Sequence, residues 1–225
     1  MRPYAFVAGI VLVVAFACQM GFDVTHAGKP GFFLWVGLPT LALAILGGVR
    51  AHRDGILREW FRPRFGDFSI AVGTAAALFA GAFAFSKMLG LPQILWFGRL
   101  YEQVGEAPEA RKNVTWIVPA LIVTACAEEV VWRGLVPSLL EEKIGSRRAW
   151  VWAAVLYAIA HVPTVWQLKD PNAGMNPLVI MAALGAGLVW GYMARRFERL
   201  LPGMISHVLF DWTVMMMFRL WGPSV

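Results

Sequence analysis

The stretch VTWIVPALIVTACAEEVVWRGLVPSLL, residues 114–140, decides how the rest of this chain is read. It carries only three charged side chains, Glu128, Glu129 and Arg133, among residues that are mostly apolar or small. As a helix rising ~1.5 Å per residue it is long enough to cross the ~30 Å hydrocarbon core of a bilayer. Taking a charge out of water costs several kcal/mol unless it is paired or neutralised. Two carboxylates and a guanidinium near the middle of such a span therefore need partners or a task.

The composition around this stretch agrees with a membrane setting. The chain has 225 residues, is 59% hydrophobic and only 15% charged, and has a mean hydropathy of +0.61. Soluble domains average about 25% charged residues. The apolar runs are continuous and not alternating in short segments, which favours spanning helices over a β-barrel. The expected fold is all-α, a polytopic transmembrane helical bundle of about seven to eight spans. Seven are placed near residues 4–22, 31–49, 68–91, 114–140, 149–168, 177–194 and 203–222. The mixed segment 91–113 is either an amphipathic interfacial helix or an eighth, short membrane segment. Residues 1–113 form the N-terminal spans with this interfacial segment, and residues 114–225 the core that carries the chemistry, within one integral membrane domain.

The net charge of +6 does not indicate nucleic acid, because the basic residues collect in short loops between spans. With the N-terminus in the cytoplasm, the inner segments hold twelve Lys and Arg residues against seven on the outer side and span ends. The positive-inside rule then predicts a multi-pass integral membrane protein with a cytoplasmic N-terminus. Cys18 and Cys126 both fall in apolar runs and read as small packing residues rather than a disulfide.

Helical spacing states which polar groups can meet. Glu129 and Arg133 are i, i+4 with the acid first, the favourable order for pairing. Glu128 is rotated by about 100° from Glu129 and projects toward a different neighbour. Tyr157 and His161 share a face of the fifth span, and His207 and Asp211 share a face of the seventh. Gly185, Gly187 and Gly191 in the sixth span permit close helix packing. Depth arithmetic places Glu128, His161, His207 and Asp211 between the cytoplasmic half and the midplane, where they can converge on one cavity. A carboxylate with nearby imidazoles supports either general-base activation of water with oxyanion stabilisation or metal-assisted hydrolysis.

Three patterns occur in order: Glu128-Glu129-x-x-x-Arg133, Tyr157-x-x-x-His161 and His207-x-x-x-Asp211. Their separations are 28 residues from Glu129 to Tyr157 and 46 from His161 to His207. Together they resemble the CAAX prenyl protease and bacteriocin-processing (CPBP, or Abi) family of intramembrane proteases over roughly residues 114–215. Two positions depart from the commonest pattern, Tyr157 for phenylalanine and Asp211 for asparagine. An amide can donate to an oxyanion, whereas an ionised carboxylate repels one. Asp211 must therefore be protonated, orient His207 or bind metal.

The resemblance implies an intramembrane endopeptidase in which Glu128 and His161 activate water, and His207 with Asp211 serves the oxyanion side. Glu129, Arg133 and Tyr157 would support them. It also implies membrane lipid and a peptide or protein substrate, prenylated or membrane-embedded, as partners, and no nucleic acid. A divalent metal such as zinc, held by Glu128, His161 and His207, is the alternative to a metal-free mechanism. There is no His-Glu-x-x-His zinc signature. Two other functions fit the same residues: an inactive membrane scaffold or bacteriocin-immunity protein that binds through the pocket, and a proton-coupled membrane carrier.

Overall fold

The computed structural model describes residues 3–104 and 114–217. Among these every regular element is helical. In chain order they are α1 (Pro3–Gly21), a short 3₁₀ turn (Val24–His26), α2 (Pro30–Arg53), α3 (Leu57–Phe61), α4 (Asp67–Met88) and α5 (Leu95–Val104). Then come α6 (Val114–Glu129), a π-helical segment (Val130–Leu135), α7 (Val136–Ile144), α8 (Ser146–Ala160), α9 (Thr164–Gln167), α10 (Leu178–Phe197) and α11 (Leu201–Met217).

Six helices among the described residues are long and apolar enough to cross a membrane, against the seven to eight spans expected. The segment expected at 203–222 is α11, with 17 described residues, and residues 218–222 lie outside the described residues. The mixed 91–113 segment forms α5, a ten-residue helix of about 15 Å, too short to span. Residues 105–113 of that segment lie outside the described residues, as do Arg2 and Arg219, which entered the charge count.

The fourth and fifth spans are not plain α-helices. Between α6 and α7 the ladder slips to i→i−5, with the Val136 N–H bonded to the Val131 carbonyl. Pro137 immediately follows and has no N–H to offer the carbonyl of Arg133. Gly134 makes the wider turn packable: a Cβ there would lie 2.6 Å from the Trp60 ring. The fifth span stops at His161 and resumes as α9 after Pro163, whose missing N–H ends α8.

The core lies around the π segment, where Val131, Trp132, Leu135 and Val136 are buried between α1, α2 and α8. Close approaches between helices use small residues. A Cβ on Gly187 would lie 3.3 Å from Tyr157, and one on Gly191 3.3 Å from Trp150. Gly185 has open space around it and lines a cavity, so it is not a packing glycine as expected.

The basic loops gather at one end. Arg199 donates to both carboxylate oxygens of Asp67 at 2.6 and 2.9 Å and to the Arg62 carbonyl at 3.1 Å. Arg50 reaches Glu142 at 2.7 Å. At the other end α5 is fastened to the 168–177 loop. Arg99 meets Asp170 at 3.2 Å, Trp96 Nε1 donates to the Ala173 carbonyl, and Asn176 donates to the Trp96 carbonyl.

Candidate active site

The site is assembled from α6, α8, α10 and α11. Glu128 and Glu129 end α6 just before the π segment. The two acids diverge as their 100° offset requires. Glu128 accepts a hydrogen bond from the Tyr157 hydroxyl on α8. Glu129, fully buried, stands 3.1 Å from Arg133 Nη1, the pair expected from the i, i+4 spacing.

Glu129 has a second partner that the spacing did not reveal. Its Oε1 lies 2.8 Å from His207 Nδ1 on α11. A carboxylate only accepts, so the proton of this bond sits on Nδ1. Gly203, one turn earlier on α11, leaves room for the acid, since a Cβ there would be 3.1 Å from Glu129 Oε2. The opposite nitrogen, His207 Nε2, lies 3.9 Å from Glu128 Oε2 and 3.4 Å from Asp211 Oδ2. His207 is therefore suspended among three carboxyl groups, one at Nδ1 and two at Nε2. The Trp190 indole stacks on its ring at 3.8 Å with a 23° tilt. Trp190 is itself held by Nε1 donating to Ser206 at 3.1 Å.

His161 occupies the break after α8. Its Nδ1 is 2.8 Å from the Tyr157 carbonyl, an acceptor-only group, so Nδ1 carries the proton and a neutral ring presents the Nε2 lone pair. Its ring meets the Tyr157 ring edge-on at 4.6 Å. Thr164 locks the break by donating to the His161 carbonyl at 2.7 Å.

Tyr157 organises this cluster. Its ring carries the Arg133 guanidinium at 4.7 Å on one side and touches His161 on another, while its hydroxyl holds Glu128. The sequence pattern indicated an aromatic wall with a hydroxyl needing a partner, and Glu128 is that partner.

Glu128, Tyr157, His161, His207 and Asp211 all line one cavity of about 410 Å³. Its remaining wall is apolar and comes from Phe22, Phe32, Leu78, Phe85, Phe97 and Phe210, among others. Among the described residues no three His, Cys, Asp or Glu side chains form a group able to hold a metal ion. The predicted set of Glu128, His161 and His207 thus lacks the geometry of a metal centre. Glu128 is engaged by Tyr157, and His161 has only Nε2 to offer.

Residues 110–213 match the model of a protein family described as Rce1-like, type II CAAX prenyl endopeptidase. This is the CPBP family. By that match the chain is a member of it. The matched segment includes every residue of the cluster and stops before the end of α11. No curated protein and no solved structure matches the chain significantly. Apolar helices of spanning length together with CPBP membership make it an integral membrane protein.

Proposed function

We propose that this CPBP protein is an intramembrane endopeptidase that hydrolyses a peptide bond with water activated by Glu128 and His161. The observation that carries this reading is the convergence of Glu128, His161 and His207 from three helices on one cavity. With Oε2 of Glu128 engaged by Tyr157, Oε1 is left to receive a proton from water. The lone pair on His161 Nε2 accepts the second O–H and orients the water. The water oxygen attacks the scissile carbonyl carbon while Glu128 takes the proton. Negative charge develops on the carbonyl oxygen, and a proton on His207 Nε2 is the donor placed for it. Glu129 holds the opposite nitrogen and fixes the imidazole plane. Asp211 shares the Nε2 proton at rest and yields it to the oxyanion. The intermediate collapses as Glu128 returns its proton to the leaving nitrogen, giving a carboxylate and an amine.

The apolar wall suits a substrate that brings a hydrocarbon chain or a membrane-embedded segment with its peptide bond. A prenylated C-terminal peptide is the first substrate to try. The positive-inside rule puts the arginine-rich end, and with it the N-terminus, on the cytoplasmic side.

The direct test incubates the purified protein in detergent with a farnesylated peptide ending in a CAAX tetrapeptide and follows the released tripeptide by mass spectrometry. Cleavage by wild type and none by Glu128→Gln at equal folded amount is the expected outcome. Equal biological function of Glu128→Gln and wild type would remove the hydrolytic reading and leave a binding role for the same pocket.

A further inference from the structure

A second cavity, about 420 Å³, lies behind the π segment at the arginine-rich end. Its wall includes Trp132, Arg133, Ser138, Trp150, Arg195 and Arg199. It shares Arg133 with the active-site cluster but includes none of Glu128, His161, His207 or Asp211.

The polar atoms on this wall are unbalanced. Trp132 Nε1, Arg133 Nη1 and Nη2, and Arg199 Nε are all buried and have no hydrogen-bond acceptor. Arg133 Nη1 does stand 3.1 Å from Glu129, but out of hydrogen-bonding alignment, and Nη2 has no ion partner. The Arg133 side chain is 2% exposed. All four orphan atoms are donors, and the two charged side chains among them are permanently cationic. Buried polar groups are satisfied as a rule, so a shared deficit on one wall needs an acceptor that the chain does not supply. Glu141 and Glu198 also line the cavity, but both are exposed to solvent, as is Arg195. The unmet donors are the buried ones.

We infer that this cavity binds an anionic oxygen ligand of the phosphate class, supplied either by a phospholipid headgroup or by a free phosphate. A tetrahedral oxyanion offers several acceptor oxygens and no obligatory donor, which matches the deficit. The position fits both sources. The cavity sits where helices end and basic loops gather, the level at which anionic headgroups dock between spanning helices.

Binding can be measured independently of any peptidase activity. The full chain, purified in neutral detergent, is unfolded thermally in sodium phosphate and in sodium chloride at matched ionic strength. In parallel, native mass spectrometry scores retention of phosphatidylglycerol against phosphatidylcholine. Ser138→Leu fills the cavity and abolishes the effect. Two exposed charge changes, Arg195→Gln and Glu141→Gln, leave the fold alone and guard against a misfolded Ser138→Leu. The first weakens half-maximal binding and the second strengthens it, each by about two- to fivefold, the scale of an exposed charge pair. Stabilisation by phosphate that follows this order supports the site with a free ion as the source. Selective retention of phosphatidylglycerol that follows the same order supports it with a headgroup as the source. Equal behaviour in phosphate and chloride with no selective lipid, or responses indifferent to all three substitutions, means the cavity holds only water and overturns the inference.

Discussion

The cavity that holds Glu128, His161 and His207 is walled mainly by aromatic and aliphatic side chains, whereas the cavity behind Trp132 and Arg133 is walled by indole, guanidinium and hydroxyl groups. They meet at Arg133, whose guanidinium lies over the Tyr157 ring on one side and lines the second cavity on the other. In the first, the polar atoms engage one another: Tyr157 with Glu128, His207 with Glu129 and Asp211, and His161 with a backbone carbonyl. In the second, donors stand without acceptors. A self-satisfied cluster in apolar surroundings is fit to act on a bond brought to it. A surplus of donors is fit to hold something that stays. Position in the fold alone would not separate the two, but the hydrogen-bond inventory does.

The comparison breaks most sharply at Glu128. Glu128→Gln removes the proton acceptor while keeping size and the Tyr157 contact, and hydrolysis should fall by about 10²- to 10⁴-fold. The rate of peptide release and the thermal midpoint, measured on the same preparation, separate loss of chemistry from loss of fold. Next comes Glu129→Gln. It strips the only carboxylate within ion-pair distance of Arg133 and leaves a buried guanidinium uncompensated, at a cost of about 3 kcal/mol or more. Here stability should drop along with rate, and denaturant unfolding checks it. If Glu129→Gln were as stable as wild type, the neutralising role of Glu129 would be wrong, and an anion in the second cavity would be the natural substitute.

Tyr157→Phe sharpens the comparison with a milder change. The ring stays against Arg133 and His161, and only the hydroxyl that holds Glu128 is lost. Phenylalanine is the usual residue of the family pattern at this position, so the rate should stay within about tenfold of wild type, the scale of one hydrogen bond. A loss as deep as that of Glu128→Gln would move Tyr157 from positioning to direct participation.

The smallest effect concerns the mouth of the first cavity, which α5 covers with Phe97, Leu100 and Tyr101. The Ala173 and Asn172 backbone amides, with Arg99 beside them, hold the Asp170 carboxyl below the usual 3.8. A depressed folded-state value stabilises the fold above the unfolded-state value and loses that contribution as pH falls through the folded one. The stability gap between wild type and Asp170→Asn should therefore be full at neutral pH and close in strong acid. Thermal midpoints over a pH series read it directly.

The chain disclosed the site unevenly. The Glu129–Arg133 pair, the divergence of Glu128, and the Tyr157–His161 and His207–Asp211 faces follow from 3.6-residue periodicity, and the structure brings these residues together. The His207–Glu129 bond did not follow, because it joins residues 78 positions apart and depends on how α6 and α11 cross. One trace was available: Gly203, a turn before His207, marks a close approach without naming its neighbour. The break at His161 was written in Pro163 but hidden by the apolar run on both sides. The span count came out high because α5 and α11 carry spanning composition without the described length. The second cavity was invisible, since its donors come from α7, α10 and the π segment and share no periodicity.

The π segment has a consequence for how this chain tolerates change in length. A π turn accommodates one residue more than the α turn it interrupts. Deleting a single residue between 130 and 135 would let the ladder close as a continuous α-helix and swing all that follows by about 100°. Glu128 and Glu129 would keep their places, while the wall of the second cavity would turn away from them. The extra residue acts as a vernier, setting the angular offset between two halves of one span. At this point in the chain the number of residues matters as much as their identity, and a one-residue excision would uncouple what many substitutions leave joined.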